Sequence, residues 1–402
     1  MAEIQYSISE LHNLFELKLR NSMFLNEKAD MHEVALDTKN TILSDGNPVL
    51  NRLYKSMKMP TLLNHINIAT DDTVTSKNWP AEEHSQEYDY IIDDGRIEAS
   101  SNYNNRPWKK PSQPVVLSQY KQNSKLNLYQ PYFKPTGRIS DFAVANSISV
   151  VGLRFASKSR EQTSILYSDA YGDNDMNCVT VVIDIGKGST VDIKEVFENK
   201  DGTKIYKIVY LVRDYAELTL ERQHSTTGKD TGINIIETQV IQFPGSKFKY
   251  NVSGEGTKYT QDLMYVDVYD KCTTDIKGSF DLYGENINNT VVNIHHKGVG
   301  STSRINIKSI VDDLAHSSFA GCITVDKIAV DTDAELYNRN LLVSSRATAI
   351  TEPQLDINTK EITCKHGCTV SNIDKNELYY LTSKGIETNI AEETLKQCFL
   401  MM

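Results

Sequence analysis

From about residue 138 to 350 the chain carries strand signals and almost nothing else, and this feature restricts its fold more than any other. Short runs alternating with period two follow one another: Val179, Val181, Ile183 and Ile185; Tyr206, Ile208, Tyr210 and Val212; Ile233 and Ile235; Val291, Asn293 and His295; Ile305 and Ile307. Gly, Asn or Asp stands near each run, and helical periodicity is missing. Roughly 200 residues of strand without an intervening helix predict an all-β sandwich, barrel or β-helix. Alternating β-branched and polar residues suit a strand packed on one face and wet on the other, which a β-helix provides coil by coil. No strict repeat length is visible, so periodicity alone leaves the three architectures open.

The ends read differently. Ser7 and Glu10 have capping-box spacing ahead of Leu11, Leu14, Phe15 and Leu17, and a second amphipathic run spans Pro48 to Met57. Residues 71–115 turn to Asp, Ser, Asn and Pro, the chemistry of a linker. Near the C-terminus, Asp374 and Glu377 repeat the capping-box spacing and open a helix through Leu378, Tyr379 and Leu381, which Gly385 can end in a left-handed cap. A last helix is expected from Asn389, with Glu392 at its third position and Ile390, Leu395 and Phe399 as apolar contacts. These stripes either dock a partner or pack on the end of the β core. The expected division is 1–115, a helical region with a loop-rich linker; 116–350, the β core; and 351–402, a final core strand with two short helices.

Composition removes several function classes. A net charge of -10 lacks the clustered Lys and Arg that phosphate neutralisation needs, and Lys109-Lys110 beside Trp108 reads as a solvated loop. No run of about 18 apolar residues exists to cross a membrane. The start lacks the basic and apolar regions of a secretory signal, so a cytoplasmic setting is expected. Six cysteines, sparse and irregularly spaced over 402 residues, fit reduced thiols better than a disulfide framework.

The strongest concentration of chemistry is Cys364, His366 and Cys368. On a strand, period-two alternation puts all three on one face, and thiolate and imidazole suit iron, zinc or iron-sulfur species. Three such ligands are an incomplete site, and small buried thiols are the competing structural reading. His295 and His296 are adjacent, so on a strand they point to opposite faces and cannot share an ion. Asp173, Asn174, Asp175 and Asn177 begin like a calcium loop, but Cys178 stands where the turn glycine belongs, so a turn is expected. Gly186-Lys187-Gly188-Ser189 lacks the earlier glycine of a phosphate-binding loop, and Asp93-Asp94 and Asp312-Asp313 are adjacent rather than set across a cleft.

Ser318 to Ser344, SFAGCITVDKIAVDTDAELYNRNLLVS, and Glu352 to Ile386, EPQLDINTKEITCKHGCTVSNIDKNELYYLTSKGI, resemble the C-terminal core of the SufB/SufD family of iron-sulfur cluster assembly scaffolds. The resemblance covers roughly residues 291 to 400. Thr332-Asp333-Ala334, Asn338 to Leu342, and Cys364, His366, Gly367, Thr369 and Val370 are similar to the SufD branch. SufB instead carries a cysteine at the position of Asn338 and a glutamate at that of Gly367. The resemblance implies a mainly β fold: a right-handed parallel β-helix core with N-terminal and C-terminal α-helical regions. It further implies a non-catalytic scaffold with a SufB-like paralogue or a second copy of itself as partner. A SufC-type ATPase would dock on the C-terminal helices, through Leu378, Tyr379, Leu381, Ile390, Leu395 and Phe399. The implied cargo is a transient iron-sulfur cluster at the subunit interface, with His366 and Cys364 beside it; flavin binding stays open. Cys368 departs from the usual alanine and is either a third soft ligand or a small-residue replacement. Two other readings remain: a carbohydrate-binding or carbohydrate-cleaving β-helix, which predicts a groove of carboxylates and aromatics, and a SufB-type sulfur acceptor using Cys322.

Overall fold

The computed structural model describes residues 88–93, 96–99, 115–117, 143 and 150–401, except 169–175, 199–201, 226–231 and 256–257. The expected N-terminal helices, Lys109-Lys110 and the turn at Asp173 lie outside them.

Nineteen strands occur among the described residues. The first are β1 (Tyr90–Asp93), β2 (Arg96–Ala99), β3 (Val115–Leu117), β4 (Val150–Phe155), β5 (Arg160–Tyr167), β6 (Met176–Ile185) and β7 (Thr190–Glu198). Then come β8 (Thr203–Val212), β9 (Glu217–Ser225), β10 (Ile233–Gln242), β11 (Lys247–Gly254), β12 (Tyr259–Val268) and β13 (Thr273–Leu282). The last are β14 (Ile287–His296), β15 (Thr302–Val311), β16 (His316–Val325), β17 (Thr332–Leu342), β18 (Thr348–Ile357) and β19 (Ile362–Asn372). From β4 onward, successive strands alternate between two sheets. Sheet A runs β19-β17-β15-β13-β11-β9-β7-β5-β1-β2 and sheet B runs β18-β16-β14-β12-β10-β8-β6-β4-β3. Each strand therefore pairs in parallel with the strand two places on, and the chain is a parallel β-solenoid.

One coil cannot bury its own apolar face, so stacking supplies the stability. Of the alternating residues read from the sequence, those of β6 (Val179, Val181, Ile183, Ile185), β8 (Tyr206, Ile208, Tyr210, Val212) and β15 (Ile305, Ile307) line the interior. In β10 and β14 the opposite parity does so: Ile236 and Val240 rather than Ile233 and Ile235, and Val292 and Ile294 rather than Val291, Asn293 and His295. Burying each such side chain contributes on the order of 1.5–3 kcal/mol. The packing leaves no slack at Gly321 of β16, where an added Cβ would lie 2.5 Å from Leu336 Cδ1 and 2.8 Å from the Phe319 ring.

A repeat does exist, although residue identity conceals it. Paired residues stand between 26 residues apart, as Ile233 and Tyr259, and 32 apart, as His316 and Thr348. At one corner of the coils a left-handed residue recurs at Lys158, Gly188, Tyr215, Gly245, Lys271, Gly300 and Asp331. Each donates its N–H to a carbonyl of the next corner, from Lys158 to Lys187 at 2.9 Å through Asp331 to Glu361 at 2.8 Å. A non-glycine residue in this conformation costs roughly 1–2 kcal/mol, and the corner ladder offsets it. The period is carried by backbone geometry, so only some corners need glycine.

Two short strands, β1 and β2, fall within the stretch expected to be linker. They pair antiparallel with each other while β1 extends sheet A beside β5, and β3 runs antiparallel to β4. Four-residue strands are too short to betray a period. At the opposite end, β18 and β19 have a sheet neighbour on one side only among the described residues.

Inside the solenoid a charged network interrupts the apolar packing. The Arg222 guanidinium, fully buried, donates from Nε and Nη2 to Glu195 Oε2 at 3.0 and 2.9 Å. Its Nη1 donates to Thr238 Oγ1 at 2.9 Å and Asp262 Oδ1 at 3.3 Å. The Tyr167 hydroxyl donates to Glu195 Oε1 at 2.9 Å, Tyr210 donates to the same oxygen, and Tyr250 donates to Asp262 Oδ2 at 2.9 Å. Burial alone would raise the Asp262 carboxyl, but Arg222 and His224 outweigh it and hold that group below the usual carboxylate range.

Two helices end the chain, α1 (Lys375–Ser383) and α2 (Thr388–Met401). Asp374 caps α1 by accepting the Asn376 N–H at 2.8 Å. Gly385, at φ +88°, closes it: its N–H reaches the Thr382 carbonyl at 3.0 Å and the Ile386 N–H reaches Leu381 at 3.3 Å. Both bonds belong to the expected left-handed cap. The second helix starts one residue earlier than expected, at Thr388, because the Ala391 N–H bonds the Glu387 carbonyl at 2.9 Å.

Candidate functional site

β19 pairs with β17 so that Cys364 stands beside Ala334, His366 beside Leu336 and Cys368 beside Asn338. Those three β17 residues are fully buried and face the solenoid interior. Register therefore directs Cys364, His366 and Cys368 inward too, but in the last coil nothing further in the described chain covers them. Cys364 and Cys368 pack partly against the core, while His366 is exposed. The one-face arrangement expected from the sequence is present, and the face is the interior one, laid open at the solenoid's end.

The intervening residues point outward. At Gly367 an added Cβ would lie 3.1 Å from the Tyr337 ring, so glycine lets that ring pack flat against β19. A side chain there would need that ring to give way slightly.

These three side chains do not form a metal site by themselves. Among the described residues no group of three or more His, Cys, Asp and Glu can hold an ion. Burial, then the charge of Asp333, pushes the Cys364 thiol up, with the Ala334 N–H pulling weakly the other way. Cys364 is a protonated thiol at neutral pH, able to ligate only when a cation displaces its proton.

Among the described residues, the rim of this end is apolar and unpaired. Ile357 of β18 and Val370 of β19 are 40% and 44% exposed, and Leu355 and Ile362 are half-buried against the core. Pro353 lies in β18, a position open to proline in an edge strand. Two free edges with exposed apolar residues form a template for another chain's strands.

The helical residues divide into two groups. Leu378, Leu381, Leu395 and Phe399 are half-buried, whereas Tyr379 and Ile390 are 75% and 54% exposed. Tyr380, which the apolar stripe omitted, is also exposed, and α1 buries no residue.

Other sequence candidates are scattered. His295 and His296 do face opposite ways. His295 Nε2 lies 2.8 Å from Asp326 Oδ1, while His296 is buried with Nε2 2.9 Å from Ser303 Oγ. Burial, then the neighbouring His295, lowers the His296 imidazole to about 4. Cys322 points outward on β16 towards Thr324 Oγ1 at 3.7 Å and meets none of the three β19 residues in register. A groove of about 480 Å³ on the outer face of sheet A is lined by residues including Lys194, Glu221, Asn251, Lys277, Asn306 and Lys308. Its lining holds one carboxylate and no aromatic ring, unlike the surface a carbohydrate-active solenoid would require. The Arg222 network is a feature that sequence reasoning missed, since its charges are 27 and 40 residues apart and no local pattern joins them.

Fold and end-face together define a β-solenoid with a packed interior whose last described coil carries Cys364, His366 and Cys368 on one face. The family described as "SUF system FeS cluster assembly, SufBD core domain" matches residues 168–399, more than half of the chain, and the chain belongs to that SufBD family. It is similar to an iron-sulfur cluster assembly SufBD family protein of Synechocystis, 29% identical over 44% of this chain and 40% of that one. It is also similar to the iron-sulfur cluster assembly protein SufD of Escherichia coli, 36% identical over 26% of this chain and 25% of the relative. Against SufD of Bacillus subtilis the identity is 32%, over 29% and 27%. The matched stretch spans less than half the length of each of these relatives. No described helix is long and apolar enough to cross a membrane.

Proposed function

We propose that this chain is a SufD-type scaffold subunit for iron-sulfur cluster assembly, working in the cytoplasm without an active site of its own. The observation that carries the reading is the register of β19, which turns Cys364 and His366 inward in the last coil, where β19 and β18 are the edge strands of sheets A and B among the described residues. A SufB-like paralogue, or a second copy of this chain, meets the β18 and β19 edges and completes a ligand set that one chain cannot complete. His366 and Cys364 then contact the nascent cluster as cargo, and Cys368 either adds a soft ligand or fills space. A SufC-type ATPase docks on α1 and α2 and supplies ATP hydrolysis.

The functional division follows 116–350 as the core and 351–402 as the segment bearing both the ligands and the docking helices. Native mass measurement of the complex from its own cells is expected to find a SufB-like chain and an ATPase. Cluster assembly by that complex should fall sharply with His366→Ala. A complex that builds clusters equally well without the imidazole would end the site assignment, and a chain that carries neither partner would end the scaffold reading.

A further inference from the structure

The α1–α2 hairpin is tied to the solenoid at two places. One is covalent: Asp374, the cap of α1, lies two residues after the end of β19. The other is Lys308 of β15, a buried lysine whose Nζ donates to the carbonyls of Phe399 and Leu400 at 3.1 and 2.9 Å. Beside it, Lys396 Nζ lies 3.3 Å from Asp312 Oδ2, just after β15. The last carbonyls of a helix lack intrahelical partners and carry the negative end of its dipole. The last turn of α2 contains no basic residue of its own. The solenoid supplies that cation, from 91 residues upstream.

α1 buries no residue, so the hold on the coils falls to α2, through this cap, its companion ion pair and the Phe399 ring beside Lys308. The hairpin thus spans from β19, the strand of Cys364 and His366, to β15, two strands further into sheet A. We propose that Lys308 is a positioning residue: by capping α2 from β15 it makes the hairpin a lever that passes movement of a partner seated on α1 to β19. With α2 fixed at β15, a pull on α1 is delivered to the end of β19. With α2 released, the hairpin swings freely and the end coil does not move. The inference rests on the ATPase-docking reading of these helices.

Its test uses the full-length chain co-purified with the SufC-type ATPase and the SufB-like subunit, scoring maleimide labelling of Cys364 peptide by peptide with and without ATP. ATP is expected to speed labelling in the parent complex. Lys308→Met should keep the ATPase bound and turning over while losing that ATP-dependent rise, and Lys308→Arg should restore it. A merely structural role would not produce rescue of an ATP-dependent increment. A rise that survives Lys308→Met, or fails to return with Lys308→Arg, overturns the proposal. Should Lys308→Met not assemble, Lys396→Gln must diminish the rise, and an unchanged rise overturns the proposal equally. If the parent chain binds no ATPase, it is the docking reading that fails. The clamp is then scored by hydrogen exchange of the isolated chain, where Lys308→Met must speed exchange of residues 388–401 at least about tenfold, and unchanged exchange refutes it.

Discussion

Replacing Glu195 with alanine asks whether the charged network inside the solenoid holds its coils together. In the native chain Glu195 accepts four bonds: two from Arg222 and one each from Tyr167 and Tyr210. Truncation leaves a fully buried guanidinium bonded only through Nη1, to Thr238 and to Asp262 at 3.3 Å as its one carboxylate, and strands two buried phenols. Breaking one partner of a buried ion pair costs about 3–5 kcal/mol, and each orphaned hydroxyl adds about 1–3 kcal/mol. These losses overlap, so about 4 kcal/mol is the expected floor for Glu195→Ala. Pairing Glu195→Leu with Arg222→Met removes both charges and refills the volume, so it should cost clearly less than the single truncation. Urea unfolding followed by far-ultraviolet circular dichroism gives both values, provided the slope with denaturant is unchanged. Coils contact only their neighbours, so amide exchange should rise most in β7 to β12. A loss below about 1 kcal/mol for Glu195→Ala, or a double variant no better than the single one, would refute the reasoning.

The His296 imidazole, held at about 4 in the folded chain, is kept neutral there while the unfolded chain takes up a proton near 6.5. The unfolded state binds more protons between those values, so stability contributed at neutral pH is lost as pH falls from about 6.5 to about 4; His296→Asn should flatten that part of the urea-midpoint profile relative to the parent chain. Cys364, raised first by burial and then by Asp333, should alkylate slowly at pH 7.5, and Asp333→Asn should speed it by less than tenfold, measured on the Cys364 peptide. Gly385→Ala, at φ +88° with nothing nearby to clash, should cost about 1–2 kcal/mol of backbone strain, seen as faster exchange at the end of α1 with the solenoid strands unaffected.

Local chemistry was legible without coordinates. Alternation in β6 and β8, the cap at Asp374, the left-handed Gly385 and the shared face of Cys364, His366 and Cys368 all depend on residues within a few positions of one another. The sequence could not say that the shared face is the interior one, because parity relative to the core is set by β17, 30 residues away. Nor could it expose the coil period, since a left-handed corner accepts Lys158, Tyr215, Lys271 and Asp331 as well as glycine once the next corner's carbonyl receives its N–H. Only tertiary structure decided that Arg222 meets Glu195 and Asp262, that Lys308 caps a helix near the end of the described chain, and that no other described strand covers the last coil. The physical reason is common to all of these: a solenoid makes neighbours of residues 26 to 32 positions apart, and the interactions that define its site and its charges act across coils.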